Sequence, residues 1–175
     1  MERMTPQDYE ILQLENDVTA AHGLTIGVFD GPEPKFDDLL ERVADRVRLV
    51  PRYRQRLLEV PFDIERPVWV DDPNFSIDFH VRHIGLAPPG AADQLAEQVA
   101  RIVGRKMDRS RPLWEAYVIE GLADGRWALL QKTHHATIDG ASGVIMLRMF
   151  TDDSPDEDYA YEPVEWDGEE PPTNA

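Results

Sequence analysis

Apolar residues recur at helical spacing in several parts of the chain. Residues 36–50 place their apolar side chains on one helical face, and a proline ends the run. That face consists of Phe36, Leu39, Leu40, Val43 and Val47. Residues 93–107 repeat the pattern. Thr5 and Pro6 have the composition of a helix start, and a serine precedes the apolar residues of 142–150. The spacing therefore predicts helices in all of these segments.

Other segments have the alternation or the β-branched composition of strands. Residues 75–84 alternate apolar and polar side chains, which predicts one half-buried strand. Residues 114–122 and 126–136 flank a short Ala-Asp-Gly turn and predict a hairpin. Further strands or extended connections are expected at 24–29, 53–61 and 67–73. Because strands and helices do not alternate strictly, we expect an α/β (α+β) fold with a mixed sheet rather than a doubly wound one.

Composition limits the class of protein. The chain has 175 residues, enough for one sizeable domain, and 42% of them are hydrophobic. There is no cysteine, which removes disulfides, thiolate metal sites and a cysteine nucleophile. The N-terminal residues do not have the pattern of a signal peptide, and no apolar run approaches the length of a membrane span. We therefore expect a cytoplasmic protein.

Charged residues are unevenly distributed along the chain. The net charge is −16, and residues 151–175 contain 10 acidic residues and no Lys or Arg. The remaining 24 acidic and 18 basic residues leave residues 1–150 at −6. We therefore expect a folded body, 1–150, and an acidic, Pro-containing tail or linker, 151–175. No basic stripe is present to neutralise phosphates, so nucleic acid is not an expected partner.

The sequence "THHATIDG", residues 133–140, carries the candidate chemistry. Adjacent side chains on a strand point to opposite faces, so His134 and His135 cannot both bind one metal while the strand stays regular. No metal is therefore expected. The pair could be ordinary polar residues at a strand end. The favoured hypothesis is one histidine acting as a general base, with Asp139 fixing the loop. Since no nucleophile motif is present, direct transfer between two bound substrates is the simplest chemistry.

Several motifs together resemble a known family. The HHxxxDG pattern of residues 134–140 is similar to that of acyl-CoA-dependent acyltransferases and peptide-synthetase condensation domains. The segment "DRSRPLWE", residues 108–115, resembles the bacterial wax ester synthase/diacylglycerol acyltransferase family, as do 51–57 and 66–84. This resemblance implies one half of a chloramphenicol-acetyltransferase-like two-lobed fold, a two-layer sandwich with a mixed sheet flanked by helices.

The resemblance also implies roles for individual residues. His135 would be the general base, with His134 and Asp139 ordering its loop and Gly140 leaving room for substrate. The segment predicted to lie near the acceptor pocket consists of Pro112, Leu113, Trp114 and Glu115. The alternative is that Leu113 and Trp114 belong to the core and that Glu115 opens a strand.

The implied reaction is transfer of a fatty acyl group from acyl-CoA, a co-substrate rather than a cofactor, to diacylglycerol or a long-chain alcohol. Members of the family have two similar halves with the site at their junction. This chain resembles the N-terminal half, so a C-terminal half is an expected partner and 175 residues alone are expected to be inactive. Lipid acceptors imply transient contact with a membrane or lipid droplet. The alternatives are a polyketide- or peptide-type acyl transfer, and a non-catalytic half that acts in binding or assembly.

Overall fold

The computed structural model describes residues 1–137, 148–152 and 154. The strands are β1 (Glu2–Arg3), β2 (His22–Phe29), β3 (Gln55–Leu58), β4 (Val68–Asp71), β5 (Val81–Gly85), β6 (Trp114–Leu122) and β7 (Arg126–His134). The helices are α1 (Pro6–Leu14), α2 (Phe36–Val47), α3 (Ile77–His80) and α4 (Ala92–Val103).

A mixed four-stranded sheet forms the centre of the fold, in the order β2-β7-β6-β5. Strands β2, β7 and β6 are antiparallel neighbours, whereas β5 runs parallel to β6. A smaller antiparallel sheet has the order β1-β4-β3. The mixed sheet expected from the sequence is therefore present.

Strands β6 and β7 form the predicted hairpin. Their turn contains Asp124 and Gly125 with φ of 63° and 68°, in the left-handed region that Gly adopts freely and Asp tolerates. The antiparallel register places Trp114, the first residue of β6, opposite Thr133. The hairpin thus brings residues 112–115 to the end of β7 where the two histidines lie.

Side chains alternate across β6 and contribute to separate cores. Trp114, Ala116 and Val118 pack in one cluster with the buried face of α2. Tyr117 and Ile119 pack in another with α4. A further cluster, formed by Met4, Leu12, Leu57, Trp69, Met107, Leu113 and Ala136, joins α1 and the smaller sheet to the turn after β7. This last cluster holds that turn against α1.

The long helices agree with their sequence patterns. At α1 the Thr5 hydroxyl accepts a hydrogen bond from the Asp8 N–H at 3.1 Å, and Pro6 is the first helical residue, as predicted. In α2 the predicted face is buried at Leu39, Val43 and Val47, and the helix ends before the proline. Helix α4 buries Ile102, and Leu95 and Val99 pack partly buried in the same cluster.

The strand predicted for residues 75–84 is wrong in its first half. Residues Ile77–His80 form the short helix α3, and only Val81–Gly85 is a strand. Alternation placed His80 on the polar face, but the helical turn directs it into the core, where it is 0% exposed. Its ring stacks on Trp114 at 4.6 Å, and its Nδ1 donates to the Trp114 carbonyl at 2.7 Å. A long-range contact with β6 thus decides the local conformation.

The predicted helix at 142–150 and the tail at 151–175 fall largely outside the described residues. Residues 148–150 are helical. Arg46 of α2, 5% exposed, donates to the carbonyl of Arg148 at 3.0 Å and to that of Thr151 at 3.3 Å, and it pairs with Asp152. The first residues of the predicted tail therefore pack against the body.

Candidate active site

The two adjacent histidines occupy different environments. His134 is the last residue of β7 and is 1% exposed, whereas His135 begins the turn His135–Thr137 and is exposed. The His134 N–H donates to the Leu113 carbonyl at 3.0 Å, and the His135 N–H donates to the Ala21 carbonyl at 2.9 Å. Residues that directly precede the neighbouring strands β6 and β2 thus fix the backbone of the two histidines.

The imidazole of His135 lies beside Gly23 of β2. A Cβ at Gly23 would lie 3.4 Å from Cε1 and 3.5 Å from Nε2 of the ring. These are ordinary contact distances, so the ring packs directly against the backbone of this strand. An exposed ring on a fixed backbone can approach a bound molecule and exchange a proton with it.

The imidazole of His134 is held inside the protein in its neutral form. Burial lowers its pKa to about 4, although the carboxylate of Glu15 opposes the shift. The Ala136 N–H donates to Nδ1 at 3.1 Å, so that nitrogen is an acceptor and the proton of the neutral ring is on Nε2. A buried ring with one nitrogen already occupied suits a supporting role rather than that of a base.

Glu15, at the end of α1, faces His134. Its side chain is 3% exposed, and its Oε1 lies 3.8 Å from Nε2 of His134. Arg109 donates to the other carboxylate oxygen at 2.9 Å and to the Leu12 carbonyl at 3.1 Å. The guanidinium therefore neutralises the buried acid and satisfies a carbonyl at the helix end.

Sequence reasoning did not find Glu15. An acid at a helix C-terminus opposes the helix dipole, and that unfavourable placement is the local sign that could have drawn attention to it. Its partner Arg109 lies 94 residues away in the chain. Only the folded topology brings the two together beneath the histidines.

Residues 112–115 lie beside the histidines but mainly inside the protein. Pro112, Leu113 and Trp114 are buried, and the Trp114 Nε1–H donates to the Tyr53 carbonyl at 2.8 Å. Strand β6 begins at Trp114. This placement agrees with the alternative that Leu113 and Trp114 are core residues, and contact of this segment with a substrate stays a prediction.

Glu115 belongs to a polar network on the face of the sheet that carries α4. Its carboxylate accepts from the Tyr117 hydroxyl at 2.7 Å and pairs with Arg82 at 3.3 Å. Burial and this hydrogen bond raise the pKa of Tyr117 above its ordinary value. The network ties β5 to β6 next to the histidines.

Lys132 is a fully buried lysine on β7, two residues before His134. Its Nζ donates to the Ile102 carbonyl at 2.9 Å and to the Arg105 carbonyl, and burial lowers its pKa. His22 of β2 has its Nε2 2.8 Å from the neighbouring Val103 carbonyl. Both side chains contact carbonyls at the C-terminal end of α4. The burial of Lys132 therefore has a structural explanation, because its ammonium group binds the end of this helix.

The chain matches a known protein family. A family model described as the wax ester synthase/diacylglycerol acyltransferase catalytic domain matches residues 4–174. The chain belongs to this family. The resemblance seen in the sequence motifs is thereby confirmed.

Curated relatives of the family are similar over most of this chain. A probable diacylglycerol O-acyltransferase of Mycobacterium tuberculosis is 43% identical over 163 residues, which are 91% of this chain and 35% of the relative. A second one from the same species is 40% identical over 152 residues, 86% of this chain and 56% of the relative. The chain thus spans about a third to a half of the curated relatives it matches.

Solved structures confirm the fold class. The wax ester synthase/diacylglycerol acyltransferase from Marinobacter aquaeolei superposes with a TM-score of 0.71 at 34% identity, covering 90% of this chain and 38% of that one. The first condensation domain of the calcium-dependent antibiotic synthetase superposes with a TM-score of 0.67 at 17% identity, covering 85% and 36%. The second likeness concerns the fold alone.

The remaining predicted residues of the family motif lie beyond the described positions. Asp139 and Gly140 fall outside the described residues, so their roles stay predictions.

Among the described residues, three potential metal ligands, Glu33, His83 and Glu120, have atoms within 4.8 Å of one another. Glu120 lies near the C-terminal end of β6, whereas Trp114 and the histidine pair lie at the other end of the sheet. This group of exposed and half-buried side chains is therefore separate from the histidines. Within the part of the chain that the structure describes, no helix has the length and apolarity to cross a membrane.

Proposed function

We propose that this chain supplies the catalytic base of an O-acyltransferase that transfers a fatty acyl group from acyl-CoA to diacylglycerol or a long-chain alcohol. The observation that carries the proposal is the exposed His135 imidazole, held at the end of the central sheet within the HHxxxDG pattern of its family. The product would be a triacylglycerol or a wax ester, together with free CoA.

In the proposed reaction the His135 imidazole takes the proton of the acceptor hydroxyl while its oxygen attacks the thioester carbonyl. A carbon–oxygen bond forms, and the carbon–sulfur bond of the thioester breaks. The proton on the imidazolium passes to the departing CoA thiolate, which restores the neutral ring. No covalent acyl-enzyme is needed, because both substrates bind together and the base acts in a single transfer.

The environment of His134 supports assigning the base to its neighbour. His134 is buried, and its Nδ1 accepts from the turn that carries His135. Protonating this ring would place a charge inside the protein, which burial strongly opposes. His134 therefore acts by shaping the turn, and the proposal gives Asp139 a similar ordering role.

The complete site also requires chain beyond this sequence. Because the chain spans only 35% of one relative and 38% of the solved wax ester synthase, we propose that the remaining part of the full-length polypeptide supplies much of the acyl-CoA and acceptor surface. Acyl-CoA is a co-substrate, and the proposed chemistry uses no cofactor. Water-insoluble acceptors would reach the site during transient contact with a membrane or a lipid droplet.

The substrate class is tested with the purified full-length enzyme. Palmitoyl-CoA is supplied with diacylglycerol, with a C16 alcohol, or with an amine acceptor, and a parallel series uses palmitate bound to a carrier protein as the donor. We expect ester and an equal amount of free CoA only from the lipid hydroxyls with acyl-CoA. Product from the carrier-bound donor and amine instead would favour the peptide-type alternative, and absence of product throughout would favour a non-catalytic assembly role.

A further inference from the structure

Two buried polar atoms beside the candidate base have no hydrogen-bond partner among the described residues. They are Oε1 of Glu15 and Nε2 of His134, and they lie 3.8 Å apart. A hydrogen bond between them would need a separation of about 2.7–3.0 Å. Unsatisfied polar atoms in a protein interior are costly, so two of them side by side require an explanation.

The protonation of His134 makes the two atoms complementary. Because Nδ1 accepts from the Ala136 N–H at 3.1 Å, the neutral ring carries its hydrogen on Nε2. That hydrogen belongs to the nitrogen near Oε1 of Glu15, an acceptor. A donor and an acceptor therefore lie close together, and a shift of about 1 Å joins them.

The anchoring of Glu15 restricts where that acceptor can go. Arg109 binds its Oε2 at 2.9 Å and also donates to the Leu12 carbonyl of α1. The carboxylate is therefore tied to the helix end, with one oxygen bound to the guanidinium and the other directed towards His134.

The tautomer of His134 has a direct consequence for the next residues. If the hydrogen moved to Nδ1, that nitrogen and the Ala136 N–H would both be donors facing each other. The turn His135–Thr137 would lose a hydrogen bond that fixes it, and the His135 ring would lose its defined position beside Gly23. Accurate placement of a base strongly affects rate, since about 1 Å of misplacement costs on the order of 100-fold.

We propose that Glu15 is a positioning residue for the acyl transfer: its carboxylate accepts the Nε2 hydrogen of His134 and so fixes the tautomer that holds the turn of His135. The proposal rests on the proposed function for its kinetic consequence but not for its structural one. The competing explanation is that Glu15 and Arg109 form an ion pair that only attaches α1 to the rest of the fold.

The tautomer is measured directly in the full-length enzyme labelled with 15N-histidine. Long-range proton–nitrogen correlation distinguishes an Nε2–H ring from an Nδ1–H ring, and loss of one signal set in His134→Gln assigns the residue. We expect the pure Nε2–H tautomer in the wild-type protein and a mixture in Glu15→Leu. A wild-type Nδ1–H ring, or an unchanged spectrum in Glu15→Leu, would overturn the proposal.

Kinetics supply the second readout. We expect Glu15→Leu to lower kcat by about 10- to 100-fold with KM changed less than about 2-fold, because substrate contacts remain while the base is misplaced. Glu15→Gln keeps a carbonyl acceptor and should retain both the tautomer and most of kcat. Equal loss of kcat in both variants with the tautomer unchanged would indicate the purely structural ion pair.

A matched control removes an acid two residues away. Asp17 pairs with Lys106 at 2.9 Å on the surface, and Asp17→Asn should leave both tautomer and kcat unchanged. If Glu15→Leu does not fold, Glu15→Ala takes its place: a mixture of His134 tautomers supports the proposal, and a pure Nε2–H ring overturns it. If the acyl transfer itself fails, the spectra still test the contact between Glu15 and His134, so the two failures are distinguishable.

Discussion

Two buried histidines should make the fold sensitive to acid. Burial lowers the pKa of both His80 and His134 to about 4, against an ordinary value of 6.5. The unfolded chain therefore binds more protons than the folded one between these two values, so the stability these groups contribute is present above pH 6.5 and is lost as the pH falls towards 4. By linkage, each ring should remove about 2–3 kcal/mol of stability between pH 8 and pH 4.5.

The variant His80→Asn isolates one of these contributions. Asparagine keeps a donor for the Trp114 carbonyl but does not titrate. Urea unfolding, followed by tryptophan fluorescence, measures the free energy of unfolding at pH 8 and at pH 4.5. The decrease in this free energy between the two pH values should be about 2–3 kcal/mol larger in the wild type than in His80→Asn. The control is Phe75→Leu, which removes a ring stacked on His80 at 5.2 Å. It should lower the free energy of unfolding at both pH values but leave the decrease between them as large as in the wild type. Equal pH dependence in the wild type and His80→Asn would refute the reasoning.

Three further outcomes follow from other parts of the structure. Arg46→Met should cost about 1–3 kcal/mol in urea unfolding, because it leaves two carbonyls without this donor and Asp152 with Arg42 as its remaining ion-pair partner. The exposed Arg42→Met should cost less than about 1 kcal/mol. Lys132→Met should destabilise by about 1–3 kcal/mol and speed amide exchange at the end of α4, while Arg101→Met on the exposed face of that helix should stay within about 0.5 kcal/mol. Residues 1–175 alone should form no ester, and activity should return when the rest of the full-length polypeptide is added.

Local patterns were sufficient for most of the secondary structure. The faces of α2 and α4 and the β6–β7 hairpin follow from periodicity and turn residues within each segment. Residues 77–80 differ because the same alternation is compatible with a strand and with a short helical turn. There, the stacking of His80 on Trp114, 34 residues away, decides the outcome, and no local rule contains that contact.

The site was predictable only in part. The motif indicated His134 and His135, but it could not show that one ring is buried and the other exposed, since that depends on where β7 ends. Glu15 and Arg109 were not found, because they meet through tertiary structure across 94 residues. Residues 112–115 were predicted to lie near the acceptor pocket, which stays a prediction, and their burial beside the histidines depends on how the hairpin packs.

The central claim is that His135 is the general base, and its most direct test is the turnover of His135→Ala in the full-length enzyme with acyl-CoA and diacylglycerol or a long-chain alcohol. The matched control is His83→Ala, the same substitution at a histidine on β5 outside the site. We expect kcat/KM to fall by about 100- to 10,000-fold in His135→Ala, with thermal stability retained, and to change little in His83→Ala. Near-normal ester formation by a folded His135→Ala enzyme would contradict the account.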